Sequence, residues 1–124
     1  MKGILLFGHG SRSPEWAQPF HAIRAVMATR APATPVTLGF LEAMRPSFEE
    51  GIAELVGEGV DDIAIVPIFL ATGGHVARDL PQLAAAALER HPGLQISIAP
   101  PAGESVRVIE AMATYALDPV AQKS

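Results

Sequence analysis

The 124-residue sequence contains no cysteine, so disulfides, thiolate metal ligands and a Cys nucleophile are all excluded. Any metal must then be held by nitrogen and oxygen, and nothing favours an oxidising compartment. Charge is also scarce, at 18% of residues against 49% apolar, a balance that excludes disorder and fits one compact domain with well-buried elements. The nine Lys and Arg form no basic cluster and the formal net charge is −4, so a phosphate-neutralising nucleic-acid face is not expected. No apolar run approaches the roughly 18 residues of a membrane span. The opening segment Gly3 to Phe7 is too short for a signal-peptide core. The expectation is a soluble, cytoplasmic protein without membrane or nucleic-acid partners.

What is present is a repeated alternation of short apolar runs and helix-periodic segments. Ile4 to Phe7 reads as a strand that stops at the loop Gly8-His9-Gly10-Ser11-Arg12. Ser13-Pro14 resembles a helix start, and Trp16, Phe20, Ile23 and Met27 recur at helical spacing; Pro19 delays the regular helix to Trp16 or later. Val36 to Phe40 is a second strand leading to Glu42, and Pro46-Ser47 opens a helix with Phe48, Ile52, Leu55 and Val56 inward. The charge-free run Ile63 to Leu70 has the character of a strand covered on both faces. It opens through Gly73-Gly74 to His75, with Asp79 expected as a cap, Pro81 in the first turn, and Leu80, Leu83, Ala87 and Leu88 as the inner stripe. Leu94 to Ala99 alternates as an edge strand would, and Val106, Ile109, Met112, Ala116 and Leu117 mark a last helix before a frayed tail over 118–124. This β-α-β-α-β-α-β-α order predicts an α/β domain: a four-stranded parallel sheet with helices on both faces, and a ligand site at the carboxyl ends of its strands.

Three residues that could bind metal, His9, Glu42 and His75, each follow a strand and lie 33 residues apart in turn. One β-α unit of spacing puts all three on one rim. Two imidazoles and a carboxylate suit Zn²⁺, Co²⁺, Ni²⁺ or Fe²⁺ and leave coordination positions open. Arg12, Arg45 and Arg78 repeat the same spacing three residues later, where guanidiniums could pair with carboxylates of an anionic ligand; Ser11 is grouped with them as a binding residue. Each has an ordinary alternative: a turn histidine, an exposed glutamate, helix-start salt bridges. His21 and His91 are assigned structural roles, and Trp16 and Phe20 are read as core at the edge of any pocket. The first loop lacks the third glycine of a dinucleotide fingerprint, and no Gly-Lys-Ser/Thr phosphate loop is present.

Leu6-Phe7-Gly8-His9-Gly10-Ser11-Arg12, Phe40-Leu41-Glu42, and Val66 to Leu70 through Gly73-Gly74-His75 with Asp79-Leu80-Pro81 together resemble the short class II chelatases, which insert a divalent metal into sirohydrochlorin on routes to cobalamin and related tetrapyrroles. The resemblance implies a chelatase-like half domain in which His9 and His75 bind metal and Glu42 is the acidic third ligand or base. It implies a homodimer with the site at the interface, because longer relatives fuse two such halves. It implies no organic cofactor and leaves the metal, as substrate, among cobalt, nickel and iron, with cobalt the leading expectation. The histidine-rich stretch of some relatives is absent here. Sirohydrochlorin is rich in carboxylates, which gives the rim arginines a task, and a histidine or Glu42 would accept pyrrole protons. Two rival readings stand beside this one: a non-catalytic metal or tetrapyrrole carrier with the same ligands, and a small histidine phosphatase. The second is weakened by Phe7 standing where an arginine would lie two residues before the histidine.

Overall fold

The computed structural model describes residues 1–122, and the side chains of residues 1–119. Strands β1 (Lys2–Gly8), β2 (Val36–Phe40), β3 (Asp62–Pro67) and β4 (Gln95–Ile98) form one sheet in the order β2-β1-β3-β4, every pair parallel. The strands are connected by α1 (Gln18–Arg30), α2 (Phe48–Gly57) and α3 (Gly74–Arg90), and α4 (Val106–Gln122) follows β4. The alternation of side chains along the strands divides the core in two. Leu5, Phe7, Ile63 and Ile65 face α2 and α3, packing with Phe48, Ile52, Leu55, Val76 and Leu80. Leu6, Leu38 and Phe40 point to the other face and pack with Phe20 of α1. The one buried polar side chain among the described residues, Thr37, donates to the Gly51 carbonyl of α2 at 3.2 Å, so its hydroxyl is satisfied where water cannot reach.

Local chemistry explains where the helices begin. Ser47 caps α2 through a reciprocal capping box: its hydroxyl accepts from Glu50 N at 3.1 Å, and the Glu50 carboxylate accepts from Ser47 N at 2.8 Å. Ser13 precedes a 3₁₀ turn, Pro14–Ala17, and the regular helix starts only at Gln18, where Pro19 falls in the first turn with no amide to satisfy. The α3 expectation needs correction. Its cap is Gly73, so Asp79 lies inside the helix and Pro81 is interior rather than in the first turn. The inward stripe is Val76, Leu80, Ala84 and Ala87, with Leu83 only partly buried and Leu88 turned out to solvent.

The strands match their expected places, including β4 as an edge, and the β3 ladder closes at Pro67, which has no amide to extend it. The fourth helix departs from the reading in two ways. It continues to Gln122, where Pro119 costs one backbone hydrogen bond without ending it; of the tail expected over 118–124, only 123–124 lie outside the described residues. More consequentially, Val106, Ile109, Met112 and Leu117 are exposed, and no described residue of α4 belongs to either core cluster. On the face packed by α1, the cover therefore lies mainly over β2 and β1, with Val66 of β3 only partly buried.

Glu50 also receives the Arg45 guanidinium, whose Nε lies 3.0 and 3.2 Å from the two carboxylate oxygens. The Arg45 hydrogen bonds and then the Ser47 amide hold the Glu50 carboxyl at about 2, well below its ordinary 4.5. A depressed folded-state pKa gives stabilisation that is complete above the unfolded value and is lost as pH falls through the folded one. Thermal melts of Glu50→Gln and the parent chain should therefore differ at neutral pH and converge between about pH 4.5 and 2. A gap independent of pH would show that the carboxylate charge is not what stabilises this helix start.

Candidate metal and ligand site

The strand order decides which rim residues meet. The chain leaves β1 for β2 on one side and returns to β3 on the other, so the crevice of the sheet opens between the carboxyl ends of β1 and β3. His9 follows the last residue of β1, and His75 occupies the first turn of α3, reached from β3 through the 68–73 loop. Their ring centroids are 6.4 Å apart. Two imidazoles sharing one ion, with nitrogens at about 2.0–2.1 Å, would have centroids on the order of 5 Å apart. A small rotation of two exposed side chains covers the difference. A cleft of about 210 Å³, lined by His9, Phe69, Ala71, Gly73, His75 and Val76, opens beside the pair.

The 9–12 loop is held against the 41–46 loop by main-chain bonds that continue the β1–β2 ladder: Leu41 N donates to Gly8 O at 3.0 Å and Glu42 N to His9 O at 3.2 Å. Gly10 makes this contact possible. Its φ is +99°, and a Cβ there would stand 1.8 Å from the Glu42 carbonyl oxygen. Ser11 steadies the same loop by accepting from Ser13 N at 3.1 Å, so its hydroxyl has a structural partner.

Of the residues singled out in the sequence, His9 and His75 converge. Glu42 is tied to His9 through the backbone, but its exposed carboxylate does not complete a cluster: among the described residues no group of three or more His, Asp or Glu is placed to hold a metal. With β1 central in the sheet, the loop after β2 and the loop after β3 flank His9 from opposite sides, so Glu42 and His75 approach it from different directions. Arg45 is engaged at the start of α2 with Glu50 and is not available to a ligand in this arrangement. Arg12 and Arg78 are exposed and make no ion pair among the described residues. His21 is exposed on α1 and His91 caps the end of α3, as assigned. Trp16 is partly exposed and lies 5.1 Å from Phe20 and 6.0 Å from Phe40 between ring centroids, at the outer margin of the α1-side core.

One neighbour of His75 was read only as a helix cap. His75 Nε2 lies 3.1 Å from Asp79 Oδ2, one helical turn on. Donation from Nε2–H to the carboxylate leaves the lone pair on Nδ1, the arrangement by which carboxylates orient metal-binding imidazoles. The i,i+4 spacing was readable, but only once α3 is known to begin at Gly74.

A parallel α/β domain that presents two converging histidines at its strand-order crevice, beside an open cleft, defines the general class: a strand-end site suited to a metal with free coordination positions. The chain belongs to the CbiX family, whose model matches residues 3–117. It is 38% identical over 110 residues to the sirohydrochlorin cobaltochelatase of Sulfurisphaera tokodaii, covering 89% of this chain and 87% of that one. It is 42% identical over 79 residues to the enzyme of the same name from Methanosarcina acetivorans, covering 64% of this chain and 61% of that one. The crystal structure of a putative cobalamin biosynthesis CbiX protein from Marinobacter aquaeolei superposes with a TM-score of 0.82 at 24% identity over 98% and 99% of the two chains, which establishes the shared fold. The sirohydrochlorin chelatase SirB from Bacillus subtilis subspecies spizizenii, solved with cobalt, superposes with a TM-score of 0.79 at 33% identity over 94% of this chain and 50% of SirB, so this chain spans about half of that protein. No helix among the described residues is long and apolar enough to cross a membrane.

Proposed function

We propose that this chain is a metal chelatase that inserts a divalent ion, cobalt in the first instance, into sirohydrochlorin. The observation that carries the reading is the His9–His75 pair facing across an open cleft at 6.4 Å, on the rim where such sheets bind ligands. Insertion exchanges one M²⁺ for two pyrrole N–H protons, so the site must hold an ion while leaving positions for ring nitrogens, and must receive protons. His9 and His75 hold the ion on one face of the ring; as it passes to the ring nitrogens, an imidazole nitrogen it vacates accepts one pyrrole proton and hands it to solvent. Glu42, beside His9 on the rim, is the acceptor for the second proton or a ligand recruited when the loop shifts. Arg12 and Arg78 pair with peripheral carboxylates, and Ser11 keeps Arg12's loop in register; Arg45 serves α2 instead. The macrocycle is too wide for one half-sized domain, so the working form is a homodimer with the site between subunits, located in the cytoplasm.

Incubation of the purified chain with sirohydrochlorin and Co²⁺, Ni²⁺ or Fe²⁺ in separate reactions, followed by absorbance, should show faster insertion than the uncatalysed control, fastest with cobalt. Failure to accelerate any of the three would end the enzyme reading; tight cobalt binding without turnover would favour a carrier. Asp79 is assigned as the positioning residue for His75. Asp79→Ala should weaken cobalt binding by about 10- to 100-fold, with partial recovery in Asp79→Asn, whose amide oxygen still accepts from Nε2–H. Titration of cobalt into both variants checks this, and an unchanged Kd in Asp79→Ala would reduce that contact to a surface ion pair.

A further inference from the structure

Trp16 is the chain's only tryptophan, and it is not enclosed as the aromatic residues around it are. It stands in the Pro14–Ala17 turn between the first loop and α1, and 37% of it is exposed, whereas Phe20 and Phe40 beneath it are buried. Its position is set from Gly8 outward. A Cβ at Gly8, the last residue of β1, would stand 2.4 Å from Cζ of Phe20, so the missing side chain is what admits that ring against the strand. Phe20 packs edge-on to Phe40, the last residue of β2, with centroids 5.2 Å apart. The indole lies over both, tilted 33° to Phe20 at 5.1 Å and edge-on to Phe40 at 6.0 Å, which are favourable aromatic geometries. They fix it at the carboxyl ends of β1 and β2, where the chain continues into His9 and into Leu41-Glu42. Because β1 lies between β2 and β3, the rim carries an indole on the β2 side of His9 and an imidazole, His75, on the β3 side.

Sealing the Phe20–Phe40 margin asks only for apolar volume, which a leucine would supply. An indole adds a broad π face and a donor, and both remain open here. Nε1–H makes no hydrogen bond among the described residues. Arg12, on the loop just before Trp16, is exposed and makes no ion pair among the described residues. A π face beside a free guanidinium suits a flat conjugated ring with carboxylates around its edge: the ring stacks, and an edge carboxylate meets the cation.

We infer that Trp16 is a specificity residue for the macrocycle, its indole taking the outer part of the flat tetrapyrrole while His9 and His75 hold the ion at the centre. This rests on the chelatase function proposed above and names the side chain that reads the organic substrate rather than the metal. Affinity for the ring and affinity for the ion then reside on different residues, and measurement can separate them.

Metal-free sirohydrochlorin is titrated into the parent chain and into Trp16→Phe, Trp16→Leu and Trp16→Ala, following the absorbance of the macrocycle. Trp16→Ala should bind it about 5- to 100-fold more weakly, the range for losing one stacking surface on a flat heterocycle. Trp16→Leu keeps apolar cover over Phe20 and Phe40 without a π face and should still lose about 2- to 10-fold, whereas Trp16→Phe should recover most of the parental affinity. In insertion assays the loss should fall on KM for sirohydrochlorin with kcat changed far less, and cobalt titrated without the macrocycle should bind parent and variants alike. Parental ring affinity in Trp16→Leu, or cobalt affinity that falls in step with ring affinity, overturns the inference: Trp16 is then a cover for the α1-side core, and the chelatase reading stands. A parent chain that neither binds sirohydrochlorin nor accelerates insertion overturns both.

Discussion

Replacing His75 by alanine is expected to lower the rate of cobalt insertion by about 10²- to 10⁴-fold, the range associated with losing a positioned acid–base group. His9→Ala should fall in the same range. The two rings lie 6.4 Å apart on one cleft and are proposed to hold one ion, so the double variant should be little worse than either single one. That non-additivity separates a shared site from two independent contributions, for which the losses would multiply. Both histidines are exposed and neither belongs to a core cluster, so the melting behaviour of the variants should stay close to that of the parent, within about 0.5 kcal/mol. Initial rates, cobalt titration and a thermal melt on the same three preparations check all of this. A His75→Ala chain with parental rate and affinity would remove the central assignment and turn attention to Glu42 and the arginines.

The pattern that made the fold legible is the same one that blurred the site. Apolar runs separated by helix-periodic segments were enough to place four parallel strands, because β-α units admit few arrangements. A 33-residue repeat in His9, Glu42 and His75 was enough to place three residues on one rim. It could not say how the loops after the strands turn their side chains, and in the structure the rings of His9 and His75 converge while the Glu42 carboxylate does not complete a cluster with them. Arg45 has a local partner that spacing did not reveal: the residue five positions on is the Glu50 of the capping box, fixed by the helix start. Asp79 was misplaced by an error of helix start, since Gly73-Gly74 reads equally well as a loop or as a cap followed by the first turn. The exposure of α4 was invisible for a different reason. An amphipathic stripe states that a surface will be covered, and carries no information about which chain covers it.

The two glycine positions on this rim should respond to alanine very differently. At Gly10 the backbone has φ of +99° and the added Cβ would fall 1.8 Å from the Glu42 carbonyl oxygen, so the loop can neither keep its conformation nor its distance from the 41–46 segment. Relief requires breaking the bonds from Leu41 N to Gly8 O and from Glu42 N to His9 O, which are what fix His9 relative to the sheet. A displacement of about 1 Å at a reacting group costs on the order of 10²-fold in rate, so Gly10→Ala should lose at least that much. Its stability should also fall, by about 1–3 kcal/mol. Gly73 has an ordinary extended conformation and open space where a Cβ would stand. Gly73→Ala should therefore keep parental activity and change stability by less than about 1 kcal/mol, since the gain from a less flexible unfolded chain is offset by alanine being a poorer helix cap than glycine. Denaturant titrations and insertion rates measured side by side decide the matter. Equal losses in both variants would mean that crowding of the rim, rather than the fixed approach of the first loop to the second, governs the position of His9.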